Sequence, residues 1–203
     1  MFDTETFAAI ISLANAMKIE PAALLAVAEV ESGGRTLFDI NGKKEPAIRF
    51  EGHYFDRRLS GRMREQARQA GLSAYEAGRI RNPKTQRERW LLLERAMSIH
   101  KKAALESTSW GLGQVMGAHW EWLGYRNVDE LVAGARSGVT GQVQLMLRFI
   151  EKAGLGEALQ TRDWRDFARR YNGPAFARNQ YDSRMRAAFE RWNRSLSHML
   201  KAA

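Results

Sequence analysis

Apolar side chains recur every three or four residues through most of the chain, the spacing that places them on one face of an α-helix. The pattern is clear in residues 7–14 and again in residues 143–150. Proline and glycine positions mark further helix starts and stops. We therefore predict a mainly α protein, with additional helices over residues 21–31, after Pro83, after Gly138, from about Asp163, and over residues 175–200.

One stretch departs from the helical pattern and predicts β-structure. Residues 37–40 are followed by Asn41-Gly42 and then by a second apolar run at residues 47–50. The Asn-Gly pair accepts the positive φ angles that a tight hairpin turn requires. We predict a small hairpin that pairs residues 37–40 with residues 47–50, with Pro46 limiting its regularity.

Glu31 has an unusual position in the helix predicted over residues 21–31. It follows Leu24, Val27 and Ala28 at helical spacing, which places its carboxyl on the apolar face. Burial disfavours the charged form of a carboxyl and raises its pKa, as a general acid working near neutral pH requires. Glu31 is thus a candidate catalytic acid, whereas Glu29 lies on another face and is interpreted as a solvated side chain.

The composition narrows the classes of function. A chain of 203 residues with 44% apolar content predicts one domain over residues 1–203. The chain has no cysteine and only four scattered histidines, so we expect no metal site and no cofactor. An acidic N-terminus and the lack of an apolar run of ~18 residues predict a protein made in the cytoplasm without an ordinary signal peptide.

The net charge of +9 points to a polyanionic partner such as nucleic acid, anionic lipid or cell wall. Residues 57–102 hold thirteen bases and four acids, and residues 161–203 hold ten bases and four acids. The two other segments, residues 1–56 and 103–160, carry more acids than bases. No recognition helix, zinc spacing or ribonucleoprotein motif is present, so no nucleic acid is expected. A non-enzymatic basic wall- or nucleic-acid-binding protein is the competing class.

Several short motifs then occur in an order typical of one superfamily. The stretches 30–34, 109–117 and 171–174 read VESGG, SWGLGQVMG and YNGP. Together they resemble the signatures of the lysozyme and lytic transglycosylase superfamily. Two more stretches, RFEGHYF at 49–55 and DWRDFA at 163–168, are similar to the phage N-acetylmuramidase endolysin family. The resemblance covers about residues 22–182.

This resemblance implies a lysozyme-like fold with a small β-hairpin beside the active-site cleft. It also implies hydrolysis of the β-1,4 bond between N-acetylmuramic acid and N-acetylglucosamine in peptidoglycan, with Glu31 as the general acid. By the same resemblance, substrate-binding side chains line the cleft: Ser109, Trp110 and Gln114 on one side, and Tyr171 and Asn172 opposite. Of the other tryptophans, Trp120 and Trp122 are interpreted as core residues, as are Trp90, Trp164 and Trp192.

The second carboxylate stays open at this point. Glu51 lies in a stretch that matches the family, and we prefer it, although it could instead pair with Arg49 or Arg57. Asp39 is placed more like the second carboxylate of other lysozymes. The sequence departs from the resemblance at Gly52, where a basic residue would be expected, so any role that the resemblance implies for that position is open. A lytic transglycosylase giving 1,6-anhydro products would need only Glu31.

The resemblance also implies a partner and a place of action. The enzyme would act on peptidoglycan as a monomer without a separate cell-wall-binding domain, after waiting in the host cytoplasm for release by a holin. The basic C-terminal helix, Arg178 to Lys201, is predicted to contact an anionic outer membrane or its lipopolysaccharide and to insert apolar residues there.

Overall fold

The computed structural model describes residues 2–202, apart from the side chains at positions 200 and 202. Most of this part of the chain is helical, which confirms the predicted fold class. The helices are α1 (Thr4–Ala16), α2 (Pro21–Ser32), α3 (Gly52–Arg58), α4 (Gly61–Gln69), α5 (Gln86–Glu106), α6 (Val128–Arg136), α7 (Val139–Lys152), α8 (Gly156–Gln160), α9 (Trp164–Asn172) and α10 (Tyr181–Ala202). The strands are β1 (Leu37–Ile40), β2 (Lys43–Pro46), β3 (Ile48–Phe50), β4 (Thr108–Trp110) and β5 (Val115–Met116), and a short 3₁₀ helix spans Gly117–His119.

The buried side chains form two clusters. One cluster joins α1, α2 and α7 to α10, and the other joins the strands to α3, α4, α5 and α6. Helix α7 belongs to both, since Met146 packs in the first cluster and the neighbouring Leu145 packs in the second. Because successive helical residues point to different sides, one helix can connect the two parts of the protein.

Helix α2 runs through the middle of the first cluster. Residues 22–28 are all at most 1% exposed, and a helix that is apolar on every side is buried on every side. Pro21 stands in its first turn, where the missing N–H costs nothing. Gly33 ends the helix with a φ of 64°, which glycine adopts without strain. The helix therefore delivers its last turn, with Glu31, from the core to the surface.

Helix α10 covers α2, and two sequence predictions are wrong here. The helix begins at Tyr181 because residues 174–180 form turns, not at residue 175. Glu29 is not a solvated side chain. Its carboxylate accepts hydrogen bonds from Arg191 Nη2 at 2.5 Å and Trp192 Nε1 at 2.7 Å. The charge-assisted pair fixes α10 to the end of α2.

The β-hairpin exists, but its predicted partner strand is wrong. Strand β1 pairs with β2, directly across the turn at Asn41 (φ 54°) and Gly42 (φ 80°), so that Ile40 faces Lys43. A two-residue turn fixes the register and leaves no room for a longer loop. Residues 48–50 form β3 instead, which pairs with β4 in the antiparallel order β3-β4-β5.

The irregular segment 70–85 covers the open edge of β3. Asn82 accepts a hydrogen bond from Phe50 N at 2.9 Å and donates one to Phe50 O at 2.7 Å, while Gln86 Oε1 accepts from Ile48 N at 2.9 Å. These amides supply the partners that a neighbouring strand would supply. Ile80 also packs on Gly52, where an added Cβ would lie 2.5 Å from Ile80 Cγ1. A side chain at position 52 would therefore collide with Ile80.

The packing of α10 on the first cluster leads to a stability prediction. Met185 is fully buried and Met199, on the same helix, is 54% exposed. We expect Met185→Ala to lower the free energy of unfolding by about 2–5 kcal/mol, because it leaves a cavity. Met199→Ala should change it by less than about 0.5 kcal/mol. Urea denaturation followed by circular dichroism measures both, and equal effects would contradict this packing.

Candidate active site

Glu31 lies in the last turn of α2, where the core meets the surface. Burial raises the pKa of its carboxyl from the usual 4.5 to about 7, although a hydrogen bond from Asn172 and the charge of Arg184 both act to lower it. The protonated form is therefore well populated near neutral pH. The sequence prediction that this carboxyl has a raised pKa agrees with the structure.

Two residues from the end of α9 reach the Glu31 region. Asn172 Nδ2 donates to Glu31 Oε1 at 2.8 Å, and Tyr171 donates its hydroxyl proton to Gly113 O at 2.7 Å. Burial and the nearby Glu31 raise the pKa of Tyr171, so its hydroxyl stays protonated. The buried oxygen Oδ1 of Asn172 has no protein partner among residues 2–202. This oxygen is free to accept a hydrogen bond from a bound ligand.

The glycine-rich turn after β4 contacts the Glu31 region through Tyr171 and is stabilised by its own hydrogen bonds. Gln114 has a φ of 48° and donates Nε2 to Gly111 O at 2.7 Å, so part of its amide stabilises the turn. An added Cβ on Gly113 would lie 2.7 Å from Met146 Cβ and 3.0 Å from the Tyr171 hydroxyl. Only glycine allows the turn to pack this closely against α7 and α9.

Gln142 on α7 is a buried polar residue that the sequence analysis missed. Its Oε1 accepts a hydrogen bond from Leu112 N at 2.9 Å, and its Nε2 donates to Thr36 O at 3.1 Å. The side chain thereby links the glycine turn to the segment that follows Glu31. The signal in the sequence was an amide side chain among the apolar positions of an amphipathic helix. Such an amide is buried and needs hydrogen-bond partners for both its oxygen and its nitrogen.

The predicted sugar contact of Trp110 is wrong. Trp110 is 1% exposed, packs edge-on against Trp90 with centroids 5.8 Å apart, and donates Nε1 to Leu105 O at 3.1 Å. Its place in the middle strand of a sheet turns the ring into the core. Ser109 points to the opposite side, as alternation along a strand requires, and is 7% exposed with its hydroxyl against Met116 Sδ.

A small cavity lined by aromatic side chains lies beside the glycine turn and offers the sugar contact that was expected of Trp110. It measures about 90 Å³, and His119, Phe149 and Tyr171 line it with Gln114. Trp122 packs on His119 and Phe149 with centroids 5.6 and 5.7 Å away and is 44% exposed, so its interpretation as a core residue is wrong. Burial lowers the pKa of His119, with the charge of Arg58 adding to the effect. An exposed indole next to a neutral ring offers a surface for sugars.

Both candidates for the second carboxylate already have local partners. Glu51 follows β3, accepts a hydrogen bond from Arg49 Nε at 2.7 Å, and lies 3.6 Å from His53 Nδ1. Asp39 is on the hairpin, where it accepts from Gly42 N at 3.0 Å and faces Lys44 at 3.7 Å. Glu51 has a side chain 19% exposed, against 61% for Asp39. The pairing of Glu51 with Arg49 realises the alternative noted in the sequence.

The apolar side of the C-terminal helix is used inside the protein. Phe189 and Trp192 are 8% and 7% exposed, and Trp192 stacks with Phe2 at a centroid distance of 6.0 Å. The prediction that this helix inserts such residues into a membrane is therefore wrong for these two. None of the described helices is both long and apolar enough to cross a membrane.

The fold and the site together define a class of protein. A helical part carries a carboxyl with a pKa of about 7, and the adjacent Tyr171 and Asn172 connect it to a glycine turn of the sheet part. This is the arrangement of a lysozyme-type glycoside hydrolase. Among residues 2–202, no group of three histidine, aspartate or glutamate side chains is placed to hold a metal ion.

Comparisons with known proteins support this class and narrow it. The sequence profile of the Muramidase family, described as N-acetylmuramidase, matches residues 20–193. The crystal structure of the Burkholderia AP3 phage endolysin is similar, with a TM-score of 0.77 and 32% sequence identity over 93% of this chain and 71% of that one. A comparison with curated proteins gives no significant match. The chain belongs to the N-acetylmuramidase family, a family of peptidoglycan-cleaving glycoside hydrolases.

The raised pKa of Glu31 predicts a pH-dependent cost in stability. Its pKa is about 7 in the folded protein and near 4.5 when unfolded, so the stability that the protonated group contributes is lost as the pH rises through 7. Glu31→Gln stays neutral and avoids this loss. Relative to the wild type, we expect the variant to gain about 3 kcal/mol in free energy of unfolding between about pH 4 and about pH 8.

Urea denaturation of both proteins at the two pH values measures this difference. Glu151→Gln, on an exposed face of α7, is the matched control and should show no such gain. A gain for Glu31→Gln no larger than the control's would contradict the burial of the Glu31 carboxyl.

Proposed function

We propose that Glu31 is the general acid that protonates the glycosidic oxygen of the β-1,4 bond between N-acetylmuramic acid and N-acetylglucosamine. The observation that carries this proposal is the raised pKa, about 7, of the Glu31 carboxyl, which a hydrogen bond from Asn172 holds in place. A protonated carboxyl near neutral pH can donate its proton as the bond breaks and positive charge develops on the muramic ring.

The residues around Glu31 have supporting roles in this proposal. Asn172 orients the acid through Oε1, and its unpartnered Oδ1 accepts a hydrogen bond from the substrate's N-acetyl group. Tyr171 and Gln114 shape the small cavity in which a sugar substituent binds. Ser109 on β4 pairs with Met116 on β5 and supports the turn between these two strands. The exposed Trp122 takes the role of aromatic sugar contact that the sequence analysis gave to Trp110.

The activity of a Glu31→Gln variant tests the proposal. The amide cannot act as an acid, so we expect the rate of peptidoglycan clearing to fall by about 10²–10⁴-fold, with Glu151→Gln retaining wild-type activity. Mass spectrometry of the released muropeptides identifies the reaction, because hydrolysis adds one water. Equal clearing by wild type and Glu31→Gln would exclude the assignment, and 1,6-anhydro ends would indicate the transglycosylase instead.

We further propose that Glu51 is the second carboxylate. It is the less exposed of the two candidates, and Arg49 Nε lies 2.7 Å from its carboxylate and fixes its position. An ionised carboxylate can activate a water or attack the sugar, and the distance between the two carboxyls decides which.

A comparison of two variants tests this choice. Glu51→Gln should lower kcat by about 10²-fold or more with little change in the midpoint of thermal unfolding, because the amide still fits beside Arg49. A fall in activity that parallels a fall in the unfolding midpoint would make Glu51 structural. A larger loss in Asp39→Asn than in Glu51→Gln would move the role to Asp39.

The biological setting that we propose is phage-induced lysis. The similarity to a phage endolysin supports an enzyme that acts on the host cell wall. In this proposal the enzyme waits in the host cytoplasm until a holin releases it, and it acts as a monomer with one catalytic domain. The exposed arginines of α10, such as Arg186 and Arg194, remain available for lipopolysaccharide phosphates. This contact is electrostatic, since Phe189 and Trp192 of the apolar face are buried.

A further inference from the structure

A groove of about 580 Å³ lies between β1 and the start of α5, away from the aromatic cavity. Three cationic side chains line it, from Arg35, Lys84 and Arg87, together with the carboxylate of Asp39. Its remaining wall is apolar and comes from Phe38 and Ile40. We call this the basic groove.

The three cations of the basic groove are not neutralised by the protein. None of them forms an ion pair with another described residue, whereas Arg68 elsewhere pairs with the buried Asp56 at 2.7 Å. Arg35 instead lies over the ring of Phe38, with its guanidinium 4.8 Å from the ring centroid. Convergent, unpaired cations create a positive potential that an anionic ligand relieves.

The groove is also held in a fixed shape. Thr85 and Glu88 form a capping box at the first turn of α5, and Gln86 is bonded to the start of β3. The positive N-terminal end of α5 adds to the potential of the side chains. Because Lys84 and Arg87 flank this anchored turn, their backbones do not move freely.

The groove lies on segments that lead to both candidate carboxylates. Arg35 comes four residues after Glu31, in the link from α2 to β1. On the other wall, Gln86 binds β3, the strand that ends next to Glu51. A substrate that reaches Glu31 therefore has a neighbouring site for whatever its sugar ring carries.

We propose that the basic groove binds the short peptide attached to the muramic acid. This inference rests on the proposed function. The peptide carries several carboxylates, which the planar guanidinium groups of Arg35 and Arg87 can bind in pairs of hydrogen bonds. It also carries aliphatic side chains that fit against Phe38 and Ile40, and Asp39 suits a free ammonium group. A phosphate-rich lipid headgroup fits less well, because Asp39 repels it.

The test compares two substrates that differ only in this peptide. One is intact peptidoglycan, and the other is the same material after an amidase has removed the peptides from the glycan strands. The groove variant is Arg35→Gln with Arg87→Gln. The control variant, Arg62→Gln with Arg165→Gln, removes two exposed arginines that form no ion pair with the described residues and do not line the groove.

We expect kcat/KM on intact peptidoglycan relative to stripped strands to fall about fivefold or more in the groove variant, the effect of two lost charge-assisted contacts. The control variant should keep the wild-type ratio. A groove variant that also keeps the wild-type ratio would overturn the inference while leaving the proposed function in place. Release of no reducing ends from either substrate by the wild type would instead overturn the proposed function.

A third measurement separates the peptide from an outer-membrane ligand. Binding to vesicles that contain lipopolysaccharide is measured for the wild type and both variants. A selective loss of vesicle binding in the groove variant, with an unchanged substrate ratio, would assign the groove to phosphate groups and overturn the peptide proposal.

Discussion

The hydrogen bond from Asn172 to Glu31 sets the arrangement of the whole helical part. It joins residues that lie 141 positions apart, at the ends of α9 and α2. For the two groups to meet, α2 must run buried through the core, and α7, α9 and α10 must pack around it. The alanines of α2 allow this packing, because small side chains let the neighbouring helices approach closely.

The same bond shows how the site balances stability against chemistry. A buried carboxyl that accepted several strong hydrogen bonds would ionise easily and would make a poor acid near neutral pH. Glu31 accepts one from Asn172, which fixes its position, while desolvation outweighs that bond and keeps the pKa high. Tyr171, protonated and bonded to Gly113, closes the site without providing Glu31 with a second donor.

The sequence revealed the helices and the acid because both depend on local spacing. The periodic apolar positions located α2, α7 and α9, and Glu31 stood out because a carboxyl interrupted an apolar face. Local signals did not show which strand lies beside which, so residues 48–50 were paired with β1 although β4, about 60 residues later, is their partner. Trp110 was misassigned for the same reason, since the side of the sheet that a ring occupies depends on that distant pairing. Trp122 lies outside the sheet, in the turns after the 3₁₀ helix, and its position depends on packing against Phe149 of α7.

Gln142 gives the site one further property. Its amide spans the space between Leu112 N and Thr36 O. Leu112 lies in the glycine turn, and Thr36 lies in the loop that follows α2. A side chain with a fixed number of atoms therefore acts as a spacer for the gap between these loops. A carboxylate of the same length would lose the donor, and a shorter amide would reach only one loop. The dimensions of the site are thus encoded partly in a helix that contributes no group to the chemistry.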